Sequence, residues 1–158
     1  MTFKEAVGKT PHLENAYCMG LEALENKCKT HIEAEDTRKL KGSVFVDEAN
    51  KKTEPYANRW DYGIAYQHTN RKAEVVYWVE THTASDSQVS KVIKKAEWLQ
   101  AWFKGKGKLL DSFEKDILCV SSGATTFTLS STQRKRMATL GLRSVGSKLR
   151  IPNARSKS

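Results

Sequence analysis

Apolar residues recur at helical spacing soon after the start of the chain, where Leu13, Ala16, Tyr17, Gly20, Leu21, Leu24 and Cys28 share one face while Glu22 and Glu25 turn away. With Thr10 and Pro11 as a start signal, this predicts a first helix. The period then shortens to two. Ser43-Val-Phe-Val-Asp47 is short and β-branched, residues 60–66 and 73–82 alternate more fully, and the polar turn Thr69-Asn70-Arg71 joins the last two as a hairpin. Between these strands, residues 48–58 carry Asn50 and Pro55 and read as turns.

Helical spacing returns after Ser85-Asp86-Ser87, a suitable cap, through Val89, Val92, Ile93, Ala96, Leu99, Ala101 and Phe103. Gly105-Lys-Gly-Lys108 ends that helix, and Ile117-Leu-Cys-Val120 reads as a buried strand closed by Ser121-Ser-Gly123. Residues 131–140 suggest a short helix stopped by Gly141, and residues 148–151 a last strand before Pro152. The expected fold class is α+β, a central mixed sheet in the order α-β-β-β-α-β-α-β with helices flanking it. One domain is expected over residues 1–152, with residues 153–158 as a frayed tail.

At 158 residues such a domain hides roughly 70% of the surface its unfolded chain exposes, enough for a core without staples. The 39% apolar share, with four Trp, five Tyr and five Phe, agrees. No apolar run has the roughly 20 residues of a membrane span, and the first residues lack the apolar stretch of a secretory signal, so a cytoplasmic protein with no membrane partner is expected. Cys18, Cys28 and Cys119 form no CxxC pair and no even set, which points to free thiols rather than disulfides or structural zinc.

Charge changes the picture because of where it lies. From Ser130 onward there are eight basic residues and no acidic ones, which leaves only +1 of the net +9 to residues 1–129. Arg134, Lys135, Arg136, Arg143, Lys148 and Arg150 are read as one positive region suited to nucleic-acid phosphates, without distinguishing DNA from RNA. A solvated face is the plainer reading of the same residues.

Candidate chemistry gathers on the two hairpin strands. Alternation puts Glu80 and His82 on one face of their strand, and the hairpin brings Asp61 beside Glu80. Carboxylates and an imidazole so placed suit a shared divalent cation or a proton transfer. Structural roles are equally open: Asp61 as a strand cap, Glu80 paired with a lysine of the next helix, His82 as a strand end. Neither a Gly-x-Ser-x-Gly elbow nor a genuine phosphate loop is present; Gly141–Gly146 with Ser147-Lys148 has its last residues in the wrong order.

Asp61, an interval of eighteen residues, and then Glu80-Thr81-His82 resembles the pattern of the restriction-endonuclease-like nuclease superfamily, an aspartate followed by Asp/Glu-x-Lys on the next strand. The resemblance implies that Asp61 and Glu80 hold Mg²⁺ or Mn²⁺ and that the third residue assists the attacking water. His82 departs from the family's usual lysine, and some relatives supply that lysine from the following helix, where Lys91, Lys94 and Lys95 lie; Lys94 is taken with the catalytic set. Glu14 corresponds to an acidic residue that many relatives carry on the first helix, as a further metal ligand. The implied activity is metal-dependent phosphodiester hydrolysis, with a homodimer as the arrangement many such nucleases use to cut two strands. The alternative is a binding module for nucleic acid or protein, without catalysis.

Overall fold

Alternating side chains and a helical crossover generate the sheet seen in a computed structural model that describes residues 1–83, 86–122 and 129–153. The elements are α1 (Phe3–Gly8), α2 (Asn26–Lys29), β1 (Ile32–Ala34), β2 (Leu40–Phe45), α3 (Val46–Asn50), β3 (Tyr62–Tyr66), β4 (Val75–Thr83), α4 (Asp86–Lys104), α5 (Lys108–Asp111), β5 (Glu114–Ser122), α6 (Ser131–Leu140), β6 (Leu142–Ser144) and β7 (Leu149–Ile151). A mixed five-stranded sheet runs β2-β3-β4-β5-β6, antiparallel through β4 and parallel beyond it. The expected hairpin is the β3–β4 pair. The parallel pairs need long crossovers, which α4 with α5 and then α6 provide.

Two cores sit on the two faces. On one, Val76 and Trp78 of β4 meet Phe3 and Val7 of α1, Val92, Ala96 and Leu99 of α4, and Met137 and Leu140 of α6. On the other, Tyr62, Ile64, Tyr77 and Val79 meet Leu24 and Cys28 and the small parallel sheet β1–β7. Trp78 lies across Gly63, its cross-strand partner, so closely that a Cβ at residue 63 would come within 2.8 Å of the indole. Glycine here makes room for a fully buried indole.

The first predicted helix is not formed. Residues 10–25 run mainly as turns, with positive φ at His12 and Gly20, and helix appears only before them, in α1, and after them, in α2. Leu13, Leu24 and Cys28 are buried as the spacing requires, so the pattern marked burial rather than conformation. The competing interaction is visible: Cys18 exchanges two backbone hydrogen bonds with Ser43, at 2.8 and 2.9 Å, and thereby covers part of the open edge of β2. Tyr17 meanwhile lies over Gly42, whose φ of 119° and crowded Cα exclude a side chain.

Other boundaries shift less. The strand expected through Asp47 ends at Phe45, where α3 begins, and residues 142–144 add a strand to the main sheet that the sequence pattern did not reveal. The last expected strand exists as β7 but pairs with β1, outside the main sheet. Residues 131–140 are helical as expected, with a Ser130/Gln133 capping box and Gly141 left-handed at its end. The Ser85 cap, Gly123 and residues 154–158 fall outside the described residues, as does most of the expected frayed tail. Among the described residues no helix is long and apolar enough to cross a membrane.

Candidate functional site

Pairing of β3 with β4 ends at Tyr62–Val79, and one further step along the register sets Asp61 opposite Glu80. The Asp61 N–H donates to Glu80 Oε1 at 3.1 Å. Lys95 of α4 closes the group, its Nζ 2.7 Å from Glu80 Oε2 and 3.7 Å from Asp61 Oδ1. The Glu80 side chain is 2% exposed, while Asp61 and Lys95 retain 17% and 21%. Burial in this carboxylate cluster is therefore graded, with Glu80 innermost.

Its electrostatics follow from that burial. Desolvation raises the Glu80 carboxyl well above its ordinary range, the Asp61 charge adds to the effect, and Lys95 opposes it. Asp61 is raised too, chiefly by burial, with Glu80 and Lys95 lowering it and Asp47 and Glu25 raising it further. Burial pulls Lys95 down, yet the attraction of Glu80 and Asp61 prevails and leaves it raised. Lys95 thus stays a cation at neutral pH. Arg59 braces Asp47, its Nε 2.9 Å from Asp47 Oδ1 and its Nη1 donating to the Glu54 carbonyl.

The structure unites only part of the expected set. Asp61 and Glu80 converge, but the helix lysine beside them is Lys95; Lys94 is exposed on the far side of α4. Helical geometry explains the correction. Lys95 precedes Ala96 and lies one turn from Val92 and Leu99, flanking the buried stripe, whereas Lys94 lies roughly opposite it at 100° per residue. That angular test was available in the sequence.

His82 shares the α4 face with Glu80, but it is buried against Val89, Val92, Ile93, Cys119, Met137 and Leu142, and the Glu80 oxygens are bonded to Asp61 and Lys95 instead. Glu14 is exposed and accepts the His12 N–H at 3.0 Å, closing a local turn. The acid of the N-terminal region that acts on Asp61 is Glu25, which the sequence pattern had assigned to the solvent side of a helix. Asp47 and Arg59 were not anticipated either. Cys119, opposite Glu80 on β5, has its thiol pushed up to about 11 by burial and is no nucleophile at neutral pH.

The expected single basic region is divided. Arg134, Lys135 and Arg136 lie exposed on α6, on the α4 side of the sheet, where Arg136 pairs with Glu97 at 2.7 Å. Lys148 and Arg150 belong to the opposite layer and both face Glu33 of β1 at 3.7 Å. Arg143 is held by Asp116 at 3.4 Å and by the Asn153 side-chain oxygen at 3.1 Å.

Two carboxylates suit a hard divalent cation that takes its remaining ligands from water and phosphate oxygens. Among the described residues no group of three or more His, Cys, Asp or Glu side chains is placed to hold a metal by itself. Asp61 and Glu80 are thus the donors available for such an ion. Comparison of the chain with family models, curated proteins and solved structures finds no match.

Proposed function

We propose that the chain is a divalent-metal-dependent phosphodiesterase acting on nucleic acid, built on a restriction-endonuclease-like core. The observation that carries this reading is the convergence of Asp61, Glu80 and Lys95 from two adjacent strands and the helix that follows. Support also comes from the element order β2-β3-β4-α4-β5, in which the antiparallel hairpin precedes a helical crossover. Asp61 and Glu80 would hold Mg²⁺ or Mn²⁺. Such an ion supplies a Lewis acid for the phosphoryl oxygens and makes a bound water more acidic.

The chain's own residues divide the remaining work. Lys95, with a raised pKa, is a poor base and a good fixed donor, so its part is to orient the attacking water or neutralise charge on the phosphate. The low accessibility of Glu80 keeps its carboxylate poorly hydrated, which strengthens its attraction for a cation.

A second reading has its own observation. Lys95 already reaches both carboxylates, as expected for a structural ion pair within a non-catalytic binding module. Calorimetric titration of Mn²⁺ into wild type and into the Asp61→Ala, Glu80→Ala double variant, with cleavage of mixed DNA and RNA alongside, separates the two. The phosphodiesterase reading expects binding and cleavage in the wild type and neither in the variant. A folded wild type that takes up no Mn²⁺ and cuts nothing leaves the binding module.

A further inference from the structure

One turn along α4 from Lys95, Trp98 packs partly against the core and keeps part of its ring at the surface. One face of its ring stacks on Trp102, with centroids 5.9 Å apart and planes inclined by 16°. Its Nε1 donates to Glu54 Oε1 at 3.2 Å, fixing the indole's orientation. A groove of about 220 Å³ opens beside it, lined by Glu54, Trp98, Ala101, Trp102 and Lys106. Tyr56, two residues beyond Glu54, is 98% exposed.

This groove begins about one helical turn from Lys95 of the carboxylate cluster. Lys95 and Trp98 are i,i+3 neighbours on α4 and so share a helix surface. Arg59 joins the Glu54 carbonyl to Asp47, whose backbone nitrogen lies 3.5 Å from the Asp61 carbonyl oxygen. Lys106 borders the groove as a cation that a phosphate could meet there, whereas Lys95 is already engaged by Glu80 and Asp61.

We infer that Trp98 is a stacking platform for an unpaired nucleobase, and that the substrate is single-stranded or locally unpaired nucleic acid. A partly exposed, oriented aromatic ring offers its open surface to any base, since every base has a π face, and ordering costs are already met by the Glu54 bond and the Trp102 stack. Bases within a duplex have both faces covered by neighbours and cannot use the platform without being extruded. The position of the platform beside a phosphodiester site rests on the function proposed above; stacking itself needs neither metal nor cleavage.

Tryptophan fluorescence provides the test, because Trp60 and Trp78 are fully buried and Trp102 is 5% exposed, leaving Trp98 as the indole best placed to report a stacked base. The full chain carrying Glu80→Gln is titrated, without metal, with single-stranded DNA and RNA of about 12 nucleotides and with the matching duplex. Saturable quenching by the single strands and little by the duplex is expected. Trp98→Phe should abolish most of the quenching while the fold, followed by circular dichroism, persists. Trp98→Ala should weaken single-strand binding by roughly 5- to 150-fold. Absence of binding, equal quenching by duplex, or single-strand affinity unchanged in Trp98→Ala would each overturn the inference. Quenching by single strands, with a wild-type protein that binds no Mn²⁺ and cleaves nothing, removes the phosphodiesterase and keeps the platform; the converse removes the platform alone.

Discussion

The chemistry of single residues is most exposed at Glu80. Because folding raises its carboxyl above the ordinary 4.5, the folded chain keeps a proton that the unfolded chain has released, from pH 4.5 up to the raised value. The stability contributed by this group is complete below that window and is lost as pH climbs through it. Asp61 acts in the same direction from its ordinary 3.8, whereas the raised Lys95 loses its contribution only above its ordinary 10.5. Glu80→Gln should therefore flatten the fall in stability that sets in above pH 4.5, read by urea unfolding at a series of rising pH values; an undiminished slope would exclude Glu80 as its source. Lys95→Met should destabilise the chain by up to about 3–5 kcal/mol near neutral pH by stranding a buried charge, and proton uptake by Glu80 limits the loss. Adding Glu80→Gln to Lys95→Met should restore most of that stability. A double-mutant cycle with no coupling would show that the pair does not act as a unit.

At the scale of elements, the cross-strand fit of Gly63 and Trp78 governs whether β3 and β4 can place Asp61 opposite Glu80. Gly63→Ala puts a Cβ about 2.8 Å from an indole that is wholly buried among Trp102 and Phe103, so strand or ring must shift. A loss of about 1–3 kcal/mol in urea unfolding is expected, and a neutral result would mean the ring relaxes freely. Elements of this kind were legible where local and tertiary preferences agreed. The hairpin followed from alternation on both strands, and α6 from its Ser130 cap and terminal Gly141. Residues 10–25 were not, because their helical spacing is satisfied by turns once Cys18 bonds to the edge of β2. A three-residue strand such as β6 carries too short a pattern to register. In the site, the Asp61–Glu80 pairing was readable from the hairpin, while Lys95 required the angle around α4 and Glu25 required the unanticipated path of the chain after Pro11.

Across the whole molecule, the contrast between a nearly neutral body and a basic last segment takes on a different meaning once the layers are known. Concentration in sequence did not become concentration in space, because β7 crosses to the face opposite α6. Lys148 and Arg150 face Glu33 there, so phosphate contacts by them would have to compete with that carboxylate. Arg134 and Lys135, exposed on α6 with no acid in the helix's first turn, share their side of the sheet with Lys95 and Trp98. On the proposed function, α6 and not β7 should supply the backbone contacts. Each phosphate neutralised contributes about 0.7 to the salt slope for a single strand, so Arg134→Gln with Lys135→Gln should lower the magnitude of that slope by about 1.4. Lys148→Gln with Arg150→Gln should leave it nearly unchanged. Fluorescence anisotropy of a labelled single strand over a range of salt concentrations makes the comparison. A slope reduced equally by both pairs would mean that the strand wraps both layers and that the Glu33 pairs open on binding; a slope reduced only by the Lys148 and Arg150 pair would move the binding face away from the carboxylate cluster and count against cleavage there.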